Sequence, residues 1–148
     1  MLSEIRKISS LLLSVAFSSI GFIASITVTV LAAREVSSNP LFVGFPNAVG
    51  VGGAVLGTRM IYLISKNNSQ LNALAFTFLI GAFGGAIMFY SLIVDSFVML
   101  LFGAFILGIG QSATLQTRYA ASFVASEKFK ATALSLAVWF SVFGSVFG

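Results

Sequence analysis

The stretch that decides the fold is residues 67–94, NNSQLNALAFTFLIGAFGGAIMFYSLIV, in which no residue is charged. A helix of about 20 predominantly apolar residues crosses the hydrocarbon core of a bilayer, so this stretch is long enough to span one. On either side of it, residues 36–58 and 96–117 are also uncharged, and further out the same holds for 8–33 and 131–148. The sequence therefore predicts an all-α polytopic membrane protein.

The predicted bundle has four full transmembrane helices and most of a fifth. They are expected at about 8–33, 41–64, 71–94, 97–121 and 131–148. Composition agrees, because 58% of the residues are hydrophobic, 8% are charged and the mean hydropathy is +1.06, whereas about 25% are charged in soluble domains.

Several classes of chemistry are excluded by the residues that the chain lacks. It contains no cysteine and no histidine, which removes disulfides, thiolate chemistry and the commonest metal ligand and general base. Asp95 and Glu127 fall in connectors predicted on opposite sides of the membrane, so they form no catalytic carboxylate pair. We expect no enzyme, no metal site and no cofactor.

The basic residues indicate orientation. The net charge of +4 would suggest nucleic acid in a soluble chain, but here the cations sit at helix ends, and we expect no nucleic-acid partner. One predicted side of the membrane carries only Arg34, and the other carries Arg6, Lys7, Arg59, Lys66, Arg118, Lys128 and Lys130. The positive-inside rule then places the N-terminus in the cytoplasm, in the plasma or inner membrane.

A polar face follows the first predicted helix. Ser14, Ser18 and Ser25 recur at i, i+4 and i+11 and therefore share a helical face. Small hydroxyl residues either let a neighbouring helix approach closely or line a wet cavity, and the spacing alone leaves both interpretations open.

A second polar face lies on the fourth predicted helix, where Gln111, Thr114 and Arg118 fall at i, i+3 and i+7. Gln111 is near the middle of its span and its amide needs a partner, either another helix, water or a solute. Arg118 is close enough to the surface to reach phosphate headgroups. Pairing between helices and solute handling both remain open for this face.

Glycines mark the second predicted helix as a packing surface. Gly50, Gly53 and Gly57 form a smooth stripe, and the last two have the G-x-x-x-G spacing of close helix contacts.

Residues 100–148, LLFGAFILGIGQSATLQTRYAASFVASEKFKATALSLAVWFSVFGSVFG, resemble part of a known family. A Gly-rich helix, a basic connector and an Ala-Leu-rich helix are similar to helices four and five of the N-terminal half of a major facilitator superfamily transporter. Gly144 and Gly148 match the start of the fifth-helix G-x-x-x-G-P signature. The chain departs from the family at Ile61, where an Asp is usual, and at Ala104, where many proton-coupled exporters have Arg.

The resemblance implies a twelve-helix secondary transporter that works by alternating access. Residues 1–148 would then be a partial N-terminal six-helix half, truncated within the fifth helix, and its partners would be the lipid bilayer, a small solute and the missing C-terminal half. Helices one and four would line the solute cavity and helix three would face mainly lipid. Helices two and five would place their glycines against the missing half. Drug or metabolite efflux is the expected activity, and an uncharged cavity apart from Arg118 favours neutral or anionic solutes.

Two alternatives come from other classes. One is a small membrane accessory protein that oligomerises through its Gly-rich helix faces and transports nothing. The other is a small multidrug exporter assembled as a dimer, which is disfavoured because such proteins have a Glu in the first span and this chain has none there.

Overall fold

The part of the chain that the structure describes contains four long helices. The computed structural model describes residues 2–37, 39–67 and 69–124, with 135–136, 138–139, 141–142 and 146. Helix α1 is Leu2–Val36, α2 is Phe45–Asn67, α3 is Gln70–Ile93 and α4 is Phe97–Val124, with a short 3-10 turn at Pro40–Phe42. Each of the four helices contains a stretch long and apolar enough to cross a membrane. The predicted all-α polytopic membrane fold is confirmed.

The predicted fifth helix is described only in part. The described residues between 135 and 146 are helical. The remainder of 131–148, including Gly144 and Gly148, and the basic connector with Lys128 and Lys130 lie outside the described residues.

The first connector differs from the prediction. Helix α1 continues to Val36 and so includes Arg34, while the second span begins not as α-helix at residue 41 but as the 3-10 turn Pro40–Phe42. The reason is local: Asn39 caps that turn, its Oδ1 accepting a hydrogen bond from the Leu41 N–H at 3.1 Å. Pro46 then lies in the first turn of α2, where its missing N–H is tolerated.

The chain divides into two compact units, residues 25–113 and residues 1–24 with 114–148. In the first unit, α4 contacts both α2 and α3, and α2 and α3 also contact each other. Contacts from Gly50 to Gly57 follow α4 in the same direction, whereas contacts from Gly81 to Gly84 follow it in reverse. Helix α2 is therefore parallel to α4 and α3 is antiparallel, as expected for spans that alternate in direction.

Aromatic contacts show that two connectors share one end of this unit. The Phe42 ring, from the α1–α2 connector, packs edge-on against Phe97 at the start of α4, with a centroid separation of 6.1 Å. A small apolar core lies near the same end, composed of Ala32, Ala33, Met88, Leu100 and Ala104. The second unit contains the buried residues Val15, Thr117 and Ser141.

Helices α3 and α4 are joined by a three-residue connector, residues 94–96. Asp95 has φ 51°, the left-handed conformation that commonly ends a helix and that Asp tolerates better than most residues. The Ser96 N–H then donates to the Ser91 carbonyl at 3.1 Å, which satisfies one of the last carbonyls of α3. Ser96 also begins α4, its Oγ accepting from the Met99 N–H at 3.4 Å. Two residues thus end one helix and start the next.

Candidate functional site

The structure pairs two of the predicted polar residues across helices. Gln111 Nε2 on α4 donates a hydrogen bond to Ser25 Oγ on α1 at 3.0 Å. Both side chains are half-buried. At 1.5 Å per residue, Gln111 lies about 21 Å from the start of α4 and Ser25 about 16 Å from the end of α1, so the pair is deep within both spans.

The α1 backbone beside this pair is also engaged by a hydroxyl. Thr29 Oγ1 donates to the carbonyl oxygen of Ser25 at 2.6 Å, and Thr29 is buried. Such bonds to the carbonyl four residues earlier satisfy a hydroxyl in an apolar setting and often bend the helix slightly. Polar groups of Ser25, Thr29 and Gln111 therefore meet at one level of the unit formed by residues 25–113.

The other four candidate residues belong to the second unit. Ser14 is exposed, and Ser18 is half-buried with its Oγ donating to the Val15 carbonyl at 3.1 Å. Thr114 is 5% exposed. Arg118 lies in α4, and its side chain is outside the described part of the chain. The structure thus brings together Ser25 and Gln111 within the unit formed by residues 25–113.

Sequence reasoning missed several buried hydroxyl residues. Three of them donate to carbonyls of their own helices: Thr77 to Ala73, Ser91 to Met88 and Ser112 to Ile109. Ser19 is also buried, and its Oγ has no partner within the described residues. The burial of Ser112 could have been predicted from the four-residue spacing of small residues on α4. Ser112 follows Gly108 by about one helical turn and lies on the same face, which contacts α2.

The predicted stripe Gly50, Gly53 and Gly57 lies against α4 of the same chain. A Cβ added to Gly53 would fall on the Phe105 carbonyl oxygen, and one added to Gly57 would meet Ser112 Oγ. In the reverse direction, a Cβ on Gly108 would fall on the Gly50 carbonyl. We call Gly50, Gly53, Gly57 and Gly108 the α2 seam. The structure thus corrects the implied contact of this stripe with a missing half, because α4 occupies it.

A second set of glycines joins α3 to α4, which we call the α3 seam. A Cβ on Gly81 would lie 2.7 Å from Gly110 Cα, and one on Gly103 would lie 2.8 Å from the Met88 nitrogen. A Cβ on Gly84 would clash with the Leu107 backbone. One face of helix α3 therefore packs against α4, and another presents exposed Phe and Leu side chains. The expectation that α3 faces mainly lipid applies only to the exposed face.

The chemistry available at the polar pair is hydrogen bonding without charge. Residues 13–33 and 97–117 contain no charged side chain. A Gln amide offers two N–H donors and a carbonyl acceptor with two lone pairs, and the bond to Ser25 uses one donor. Among the described residues no group of three His, Cys, Asp or Glu side chains could hold a metal ion.

Two known proteins similar to this chain are both named MFS-type transporters. The chain is 30% identical over 136 residues to the uncharacterized MFS-type transporter YdeG of Bacillus subtilis, an alignment covering 92% of this chain and 32% of that protein. It is 31% identical over 143 residues to the uncharacterized MFS-type transporter YddS of the same organism, covering 97% of this chain and 33% of that protein. The resemblance to the major facilitator superfamily is confirmed.

The chain spans about a third of the length of these MFS-type relatives. No protein-family model and no solved structure matches it.

Proposed function

We propose that this chain is part of an MFS-type secondary transporter that moves a small solute by alternating access. The observation that carries the proposal is the similarity to two MFS-type transporters over 92% and 97% of the chain. The alternating direction of α2, α3 and α4 and the polar pair deep within the spans support it. Alternating access requires two halves that move against each other, so transport depends on the remaining part of a longer protein.

In this proposal, residues 1–148 form most of the N-terminal six-helix half. The solute path is lined by α1 and α4, where Ser25 and Gln111 provide hydrogen bonds at mid-depth. Ser14, Ser18, Thr114 and Arg118 extend the path along the same two helices. The solute is neutral or anionic, since Arg118 is the only charged residue among these six, and drug or metabolite efflux is the direction of transport that we propose.

The proposed location is the plasma or inner membrane, with the N-terminus in the cytoplasm. The support is the concentration of Lys and Arg at one set of helix ends. Because the sequence has no cysteine, single cysteines can test this directly. A cysteine at Leu41, which is 85% exposed, should react with an impermeant maleimide added to intact cells, and a cysteine at Ser69 should react only after lysis. Labelling of Ser69→Cys from outside would reverse the orientation.

Transport is tested on the intact gene product in proteoliposomes. A panel of neutral and anionic small solutes is first screened for those that raise the melting temperature, and radiolabelled forms of these are then assayed for uptake. We expect Gln111→Ala to reduce both effects, while Asn72→Ala, at an exposed amide on α3, leaves them unchanged. Robust uptake by the 148-residue chain alone would contradict the proposal, because one half has nothing to move against.

The alternative of an accessory protein that oligomerises through glycine faces is not favoured by the geometry. The glycines of the α2 and α3 seams already contact backbone atoms of α4 within one chain. They are therefore not available as a surface for a second copy.

A further inference from the structure

The outward face of α2 ends in a stripe of basic and aromatic side chains. Val55, Arg59, Tyr62 and Lys66, which we call the outer α2 stripe, recur at intervals of four, three and four residues and so share a helical face. All four are exposed, with Val55 at 67% and Tyr62 at 70%. They lie in the last four turns of the helix, which ends at Asn67.

The α2 seam fixes the rotation that exposes this stripe. Because Gly53 and Gly57 contact α4 backbone atoms, α2 cannot turn about its axis without a clash. At about 100° per residue, Arg59, Tyr62 and Lys66 lie roughly 140° to 200° around the helix from Gly57. The stripe is therefore held on the side of α2 opposite α4.

The two cations of the stripe have no acidic counterpart at their end of the unit. Helix α2 contains no Asp or Glu. The acidic residues of the unit formed by residues 25–113 are Glu35 and Asp95, and both lie in or beside the connectors at the opposite end. Within the unit formed by residues 25–113, no acidic side chain therefore lies at the same end as Arg59 and Lys66.

The depth of each side chain matches the layers of a lipid molecule. Lys66 lies about 16 Å beyond Val55 along the helix axis, so the stripe passes from acyl-chain level to headgroup level. Tyr is enriched at that boundary, and Arg and Lys are the residues that bind phosphate. A phospholipid would place its chain beside Val55 and its phosphate between the two cations.

We infer that the outer α2 stripe is a binding site for an anionic phospholipid, with Arg59 and Lys66 contacting the headgroup and Tyr62 positioned at its edge. An anionic headgroup is favoured over a zwitterionic one because the site carries two positive charges and no negative one. This inference does not depend on the transported solute, since the stripe lies on the opposite side of α2 from α4.

Native mass spectrometry of the purified protein with phosphatidylglycerol or phosphatidylcholine tests the inference. We expect the wild type to prefer phosphatidylglycerol. Each basic residue near an anionic lipid surface contributes about fivefold in binding, so Arg59→Gln with Lys66→Gln should reduce phosphatidylglycerol affinity about 25-fold and leave phosphatidylcholine affinity unchanged. The matched control is Arg34→Gln, which removes an exposed cation at the other end and should preserve the preference.

A charge-preserving variant separates binding from folding. Arg59→Lys with Lys66→Arg should retain the preference for phosphatidylglycerol. The inference is overturned if the Gln variant keeps the preference, if Arg34→Gln loses it equally, or if the Gln variant loses both lipids alike. Loss of both lipids by the Gln variant would mean that Arg59 and Lys66 stabilise the protein and do not recognise the charge of the lipid headgroup.

Discussion

Helix α4 meets its neighbours in two different ways, through backbone contacts with α2 and α3 and through a side-chain hydrogen bond with α1. Along the α2 and α3 seams, backbone lies on backbone and an added methyl group has no space. At the contact with α1, a long amide reaches a hydroxyl through one hydrogen bond of 3.0 Å. The backbone contacts of the seams allow a single close geometry. The Gln111 side chain, in contrast, can rotate and form a hydrogen bond with a different group.

The largest effect is expected from Gly108→Val in the α2 seam. The new side chain would occupy the position of the Gly50 carbonyl, so α2 and α4 would have to separate. Overpacking of this kind costs about 3 kcal/mol or more. The measurement is unfolding in a denaturing detergent, followed by circular dichroism.

The matched control for that change is Gly52→Val, which lies one residue outside the seam. A Cβ there meets only the Phe105 ring at 4.0 Å. If Gly108→Val and Gly52→Val unfolded at the same detergent fraction, the α2 seam would not be the rigid contact described.

An intermediate effect is expected from a single methyl group in the α3 seam. Gly84→Ala places its Cβ on the Leu107 backbone and should lower the free energy of unfolding by about 1–3 kcal/mol. Gly85→Ala, where the nearest atom is Leu107 Cδ1 at 3.9 Å, should instead stabilise the helix by up to about 1 kcal/mol. If the two substitutions change the free energy of unfolding in opposite directions, the α3 seam is confined to the face that carries Gly84. Changes in the same direction would contradict this description of the seam.

The smallest effect is expected at the polar contact. A double-mutant cycle with Ser25→Ala and Gln111→Ala should give a coupling energy of about 0.6 kcal/mol, typical of hydrogen bonds between membrane helices. The free energy of unfolding is measured for all four proteins of the cycle. A coupling energy near 2 kcal/mol would mean that this hydrogen bond contributes as much as a seam contact, which would contradict the contrast between the two kinds of contact.

Much of the fold could be predicted from the sequence because charge is so costly in hydrocarbon. The predicted spans 41–64, 71–94 and 97–121 agree with α2, α3 and α4 to within four residues at each end, because lipid leaves little choice of structure. The start of α2 was predicted too early, since the capping geometry of Asn39 depends on a local turn that hydropathy does not register.

The candidate site was less predictable because a helical period identifies a face but not its neighbour. The Gly50, Gly53 and Gly57 stripe is visible in the sequence, yet nothing in its spacing says that α4 covers it. Ser25 and Gln111 are separated by 86 residues, and their meeting depends on how two helices are rotated. The hydroxyl of a buried residue such as Thr77 donates to a carbonyl of its own helix, so no partner residue elsewhere in the sequence indicates that it is buried.

The short connector that contains Asp95 and Ser96 also bears on how the bundle assembles. Closing a short loop costs less chain entropy than closing a long one, and only two residues separate α2 from α3 and three separate α3 from α4, whereas eight separate α1 from α2. Contacts among α2, α3 and α4 are therefore cheaper to form, and we expect these three helices to associate before α1 docks. A left-handed aspartate thereby influences the order of folding as well as the final geometry.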